Sequence, residues 1–200
     1  MELDLTGPLA EEAYTILAGL VVPRPIALVT TVDGEGRVNA APFSFFNVMG
    51  CDPPVVVLAP GDRAPGVPKD TARNIRLTGE FVVHLVDEPL AAAMNACAAS
   101  LPPGQSEVEA AGLETVASRV VRPPRLVAAP AALECREWST LEFGGNRLII
   151  GRVLHVHVRD GLMDAETFAM HPGKYQPIGR MQSPAWYCRT DDMFVMRRPD

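Results

Sequence analysis

No two cysteines of the chain stand close enough to suggest a crosslink or a metal clasp. Cys51, Cys97, Cys135 and Cys188 are scattered, and neither C-x-x-C nor zinc-ligand spacing occurs. Reduced thiols packed as small hydrophobes are the expectation. A cluster of lysine and arginine is missing too. With a net charge of −6 and a pI near 5.2, the chain lacks the basic face that displaces phosphate counterions, which argues against nucleic-acid binding. No apolar run is long enough to span a bilayer. The acidic opening, MELDLTGPLAEEAYTILAGL, lacks the basic n-region of a signal peptide. A cytoplasmic protein, bound neither to membrane nor to nucleic acid, is expected. Low-complexity runs are absent, which confines expected disorder to the ends. There is no G-x-G-x-x-G after a strand, no P-loop and no G-x-S-x-G elbow. A chain with no legible acid, base or nucleophile is often one whose cofactor carries the reaction.

What is present is apolar sequence cut by turns. The 200 residues are 48% apolar, enough for one core, so a single domain over 1–200 is expected. The spacing predicts a helix from Thr6-Gly-Pro8 to about Gly19, with Glu11 and Glu12 in its first turn. Pro25–Val32 and Val38–Val48 read as a hairpin around the turn residues Asp33–Gly36. Further strands are predicted at Pro54–Ala59, Phe81–Val86, Pro130–Glu137 and Arg147–Arg159, with a last extended segment over Ala185–Met196. A short helix is predicted at Lys69–Ile75, capped by Asp70 or Thr71. Another covers Pro89–Ala99 and breaks over Leu101–Gln105. Pro60–Pro68 and most of Glu107–Ser118 read as loop. Strands do not alternate regularly with helices, so a parallel doubly wound sheet is disfavoured. A mainly β fold with peripheral helices, an antiparallel barrel, fits better. The 19 prolines must sit at turns and edges.

Three places could carry chemistry. On the returning strand, Asn39, Ala41, Phe43, Phe45 and Asn47 share one face, and Ala40, Pro42, Ser44 and Phe46 the other. Small residues leave room for a flat group, and Pro42 removes a donor, marking an edge or bulge. Neighbouring amides are then expected to be free for a ligand, with Thr30 and Thr31 close by. A bent hairpin whose polar groups satisfy its own turn is the alternative. At Lys69-Asp70-Thr71, a helix start offers unpaired N–H groups and a positive charge to a phosphate, with Asn74 one turn on. An ordinary N-cap is the alternative there. His155 and His157, with Val153, are expected on one face of a strand, either as the start of a metal site or as half-exposed histidines. His84 lies in the apolar run FVVHLV, so its ring needs a buried partner.

Taken in order, these pieces resemble the flavin reductase-like, FMN-binding split-barrel family, on its flavoredoxin-like side. The likeness runs through Arg24-Pro-Ile, Thr30-Thr31, Asn39-x-Ala-Pro-x-Ser44-x-Phe-Asn47, Asp52-Pro-Pro54 and Lys69-Asp-Thr71-x-x-Asn74-Ile75. It continues through Glu80-Phe-Val-Val83, Leu133-Glu-Cys135, Gly151-x-Val-x-His155-x-His157-Val and Ile178-Gly-Arg180. The resemblance implies a six-stranded antiparallel split barrel forming a homodimer, with FMN near the interface. It implies that Thr30, Thr31 and the Asn39–Asn47 strand, including Ala41, Ser44 and Phe46, face the ring and ribityl chain. Lys69 and Thr71, with Asn74 beside them, are implied at the phosphate, whose charge is about −1.5 to −2 near neutral pH. NAD(P)H is the implied donor, delivering hydride to the flavin without a protein acid or base. Two departures stand out: His84 where relatives often have Asn, and Gln182-Ser-Pro-Ala-Trp186-Tyr187 where they often have Gly-Gly before an aromatic. An NAD(P)H-dependent flavin reductase, serving a monooxygenase or electron-transfer partner, is the leading expectation. A flavoredoxin-like electron carrier without nicotinamide activity is the alternative. A metal protein built on His155 and His157 is a third reading.

Overall fold

A computed structural model describes residues 1–101 and 105–199 of the chain. The chain opens with a 3-10 turn at Ala10–Glu12 and α1 at Ala13–Leu20, later than the Thr6–Pro8 start expected. Strands β1 (Ala27–Val32), β2 (Val38–Phe43), β3 (Phe46–Cys51) and β4 (Pro54–Leu58) follow, then α2 (Asp70–Thr78) and β5 (Glu80–Leu85). Next come α3 (Ala91–Ala96), α4 (Glu107–Ala110) and the two-residue strands β6 (Thr115–Val116) and β7 (Arg125–Leu126). Two long strands, β8 (Ala131–Phe143) and β9 (Asn146–Val158), precede a ribbon of β10 (Ile178–Arg180) and β11 (Tyr187–Arg189). The predicted break over Leu101–Gln105 falls mostly on Pro102, Pro103 and Gly104, outside the described residues. Part of the segment read as loop, Glu107–Ser118, holds α4 and β6, and only Tyr187–Arg189 of the last extended segment is strand.

The main sheet is antiparallel with strand order β2-β1-β5-β8-β9-β4-β3. It has seven strands, not six. The correction comes from the hairpin: the single returning strand expected over Val38–Val48 is interrupted at Ser44 and Phe45. Its first half pairs with β1 and its second half with β4. β2 and β3 are therefore the opposite edges of the sheet, and two residues join them. Such a link forces the sheet to curl until its edges meet at one corner, a barrel tethered there by the chain. Among the described residues no ladder closes β2 on β3.

The curl gives two apolar clusters, one on each face of β1, whose six residues are all buried. Inside lie Ala27, Val29, Phe43, Phe46, Leu58, Phe81, Val83 and Ile149, with Ala72 and Ile75 of α2 closing one end. Outside lie Leu28, Ala40, Leu90, Met94, Val108 and Leu126, under α3, α4 and β7. Phe81 packs directly on Gly151. A Cβ there would stand 2.3 Å from the Phe81 ring, so only glycine fits. Gly79 ends α2 at φ 69°, its N–H returning to the Ile75 carbonyl at 2.7 Å.

Two bulges interrupt the β8–β9 ladder. Cys135 pairs with Val153 and Glu134 with His155, so the bulge carries the two histidines off the core face that Val153 keeps. The expected shared face of Val153, His155 and His157 is thus broken. Simple alternation is lost at a bulge, because two residues oppose one.

Candidate functional site

The Asp33 carboxylate builds the turn between β1 and β2, accepting the amides of Glu35 and Arg37 at 2.9 Å each. That register sets Thr31 opposite Asn39. Both meet the first turns of α2. Asn74 Nδ2 donates to Thr31 Oγ1 at 3.1 Å, and Asn39 Nδ2 donates to Thr71 Oγ1 at 3.1 Å. Thr31, Thr71 and Asn74 are buried. The Asn74 Oδ1 atom is also buried, yet has no hydrogen-bond partner. A buried acceptor left unpaired costs about 1–3 kcal/mol, so this atom marks a place where a donor is wanted.

Lys69, rather than Asp70 or Thr71, is the N-cap of α2, and its side chain makes no capping bond. The first amides of the helix are left for a ligand or water. Lys69 Nζ stands 5.6 Å from the centre of the Phe43 ring. Asp70 instead bridges Arg63 at 2.6 Å and Arg73 at 2.5 Å. Asn39, Arg63, Asp70, Arg73 and Asn74 line a cavity of about 550 Å³, whose far wall includes Ser106 and Glu107. From there the core face of β2 carries Asn39, Ala41 and Phe43 towards the Ser44 corner. At ~3.4 Å per residue that path is about 17 Å long.

The remaining candidates lie elsewhere. Thr30 and Thr31, expected to face a ligand together, point to opposite sides of β1. Thr30 is fully buried and donates to the Pro124 carbonyl at 2.7 Å. Phe46 is part of the inner core. Ser44 Oγ sits 3.4 Å from Arg24 Nε, and Asn47 is exposed, its Oδ1 accepting its neighbour's amide from Val48 at 2.8 Å. The edge of β2 is less open than expected. Glu107 accepts the Ala40 amide at 3.2 Å, and Ser106 Oγ donates to the Val38 carbonyl at 2.8 Å.

The sequence did not reveal Arg24 as an organiser. It is 6% exposed. Its guanidinium donates to the carbonyls of Ala18, Val21 and Met181 at 2.5, 2.7 and 2.9 Å. It thereby ties the end of α1 and the chain after β10 to the Ser44 corner. Burial lowers its pKa. No local signal betrays this, since one partner lies 157 residues away.

His84 and His157 have structural partners. His84 Nε2 accepts the Leu126 amide at 2.9 Å, which puts the proton on Nδ1, 2.9 Å from the Leu28 carbonyl. Burial pushes its pKa down to about 4. His157 Nε2 lies 2.6 Å from Glu134 Oε1. Glu134 is fully buried and accepts the Arg119 and Val120 amides at 2.7 Å each. Burial alone would raise its pKa, but the two amides and His157 outweigh it, and the carboxyl titrates below its usual range. Among the described residues no three His, Cys, Asp or Glu groups gather closely enough to hold a metal ion. Trp186 is 62% exposed, and Arg180 stacks over Tyr187 at 4.7 Å.

The flavin reductase like domain matches residues 19–179 of the chain. An uncharacterised protein of Deinococcus radiodurans is 45% identical over 201 residues, covering 98% of this chain and 88% of that protein. Among solved structures, the 2-nitrobenzoate 2-nitroreductase of Pseudomonas fluorescens is 36% identical with a TM-score of 0.89, covering 100% of this chain and 96% of that one. Component B of nitrilotriacetate monooxygenase from Bacillus cereus is 34% identical with a TM-score of 0.92, covering 98% of each chain. A Shewanella frigidimarina structure named for its split barrel domain, 17% identical with a TM-score of 0.81 over 100% of both chains, shares the fold.

Proposed function

Since the chain belongs to the flavin reductase-like family, we propose that it is a flavin oxidoreductase that binds FMN and reduces it with NAD(P)H. Family and neighbours support an oxidoreductase that works with flavin. The carrying observation is the α2 end of the sheet. There the uncapped helix start at Lys69 leads into Asp70, Arg73 and Asn74, which line one cavity, and Asn74 Oδ1 is buried without a partner.

These residues fit a flavin mononucleotide. Lys69 and the first amides of α2 would hold the phosphate, because a helix start carries partial positive charge and free donors. Arg63 and Arg73 add positive charge nearby, offset in part by Asp70. Asn74 Oδ1 would accept from a ribityl hydroxyl. Thr31, Asn39 and Thr71 fix the amide of Asn74 and the first turn of α2, so the acceptor is set before a ligand arrives. Ala41 leaves space along β2, and Ser44 and Asn47 lie at the corner beyond it. Bound flavin supplies hydride chemistry; the chain supplies binding, orientation and exclusion of water.

A homodimer in the cytoplasm, built from one such domain per chain, completes the reading. The dimer is supported by exposed apolar groups beside the corner: Tyr14, Leu17, Leu20 and Phe45 on one side, Val48 and Met49 on the other. Likeness to a monooxygenase component supports a partner monooxygenase that uses the reduced flavin.

The test is a visible spectrum of purified protein before and after adding FMN, followed by absorbance at 340 nm with NADH and with NADPH. A bound-flavin spectrum and turnover above free flavin with one donor are expected. Flavin that stays bound through gel filtration with no turnover from either donor would replace the reductase by an electron carrier. No flavin binding at all would remove both.

A further inference from the structure

A second polar pocket lies away from α2. Residues 117–125 arch over β8 and β9, and Ala117, Ser118, Arg119, Arg125, His155 and His157 line a pocket of about 700 Å³. The arch is firmly fixed. Glu134 holds the amides of Arg119 and Val120, Ser118 Oγ donates to Pro123, Thr30 donates to Pro124, and Leu126 donates to His84. Two guanidiniums and two imidazoles are thereby gathered on an otherwise acidic protein.

The charges are not balanced from within. Among the described residues no carboxylate lines the pocket, and Glu134 beside it has both oxygens already engaged, by the two amides and by His157. Arg125 Nε is 3.9 Å from Glu134 Oε1, too far for a hydrogen bond, and is buried without a partner. Arg119 is exposed, and among the described residues its guanidinium makes no ion pair. The rings of His155 and His157 stand edge to face, 4.6 Å apart. A buried guanidinium donor without an acceptor is rare and calls for an anionic partner. A metal ion is a poor guest, because both arginines repel it. A planar or tetrahedral oxyanion suits the forked donors better.

We propose that the Arg119–Arg125–His155–His157 pocket is an oxyanion site that takes a phosphate group, separate from the α2 site. Arg125 Nε and the Arg119 fork donate to the phosphate oxygens, and Glu134 is a positioning residue that orients His157 and the arch. The group has two sources, free phosphate or the phosphate of a nucleotide.

The probe is inorganic phosphate, followed through the ring C–H signals of His155 and His157 in proton NMR of the whole protein. Sodium chloride at matched ionic strength serves as the comparison, and the buried His84 signal serves as an internal reference. Saturable shifts of both rings with phosphate, absent with chloride, are expected. In Arg119→Gln and Arg125→Gln the dissociation constant should rise about tenfold, the loss of one charged hydrogen bond. Arg119→Gln is the safer variant, since only its backbone supports the arch. Adenosine 2′-monophosphate binding more tightly than phosphate would assign the site to a nucleotide; equal binding would assign it to the free ion. Shifts that track ionic strength alone, or that survive both substitutions unchanged, would overturn the proposal.

Discussion

Two regions of this protein bury polar side chains against β1, and they are finished to different degrees. Under the 117–126 arch, His84 has both ring nitrogens bonded, Glu134 has both oxygens bonded, and Thr30 donates to Pro124. At the start of α2, on the other face of the same strand, Thr31, Asn39 and Thr71 are bonded, but Asn74 keeps one oxygen without a partner. Around His84, Glu134 and Thr30 the network is complete, adds rigidity and ties distant segments; the buried donor left over at the arch, Arg125 Nε, belongs to the pocket beside His157. An incomplete one beside a cavity and an uncapped helix is a receptor. The contrast turns on which atoms are left over, since both networks draw on the same residue types.

Substitutions of the fully bonded residues under the arch, His84, Glu134 and Thr30, should act on stability, and those at α2 on FMN binding. Glu134→Leu should have the largest effect. It strands the amides of Arg119 and Val120 together with His157, at about 1–3 kcal/mol for each unpaired group. A loss of roughly 3–5 kcal/mol in urea unfolding is expected. FMN affinity per folded molecule should be unchanged; a selective loss of affinity would erase the distinction.

Next comes pH. His84 has a native pKa of about 4 against about 6.5 when unfolded. Between these values the unfolded chain binds the extra proton, so stability rises with pH. His84's contribution is complete above pH 6.5 and disappears as pH falls towards 4, by about 3 kcal/mol in all. Unfolding midpoints across this range, compared with His84→Asn, should show a shallower slope in the variant. Parallel slopes would mean that the ring does not titrate between the two states.

Asn74→Leu should act the other way. It removes the unpaired oxygen along with one hydrogen bond to Thr31, so stability should move by no more than about 1 kcal/mol. FMN binding should weaken about tenfold, or 1.4 kcal/mol, by fluorescence titration. Unchanged FMN affinity would detach the cavity from flavin. The smallest effect is expected at Thr30→Val, which replaces a hydroxyl pointing away from α2. Its stability should fall by about 1 kcal/mol and its flavin affinity should not change, although Thr31 is the adjacent residue.

How much of this was legible depended on sequence distance. The turn at Asp33–Gly36 and the start of α2 could be read because each is local chemistry at a strand end or helix start, whereas the bonds from Asn74 to Thr31 and from Asn39 to Thr71 span 43 and 32 residues. The break at Ser44–Phe45 could not. Alternation continues through it, and only pairing with two different neighbours, β1 and β4, divides the strand. The β9 bulge is hidden for the same reason: alternation alone puts Val153 and His155 on one face. The need of His84 for a buried partner was visible, but the partner, Leu126, lies 42 residues away in a two-residue strand. Facing was the other weak point. Adjacent threonines in β1 must diverge, and only the β1 burial on both faces shows why each is polar and buried.

The most direct test of the central claim is a fluorescence titration of FMN and riboflavin against the wild-type protein and Lys69→Ala. The two ligands differ only in the phosphate. If the start of α2 holds that group, FMN binds the wild-type protein at least about tenfold more tightly than riboflavin, and most of that margin vanishes in Lys69→Ala. Equal affinity for both ligands, or a margin untouched by the substitution, would contradict the account.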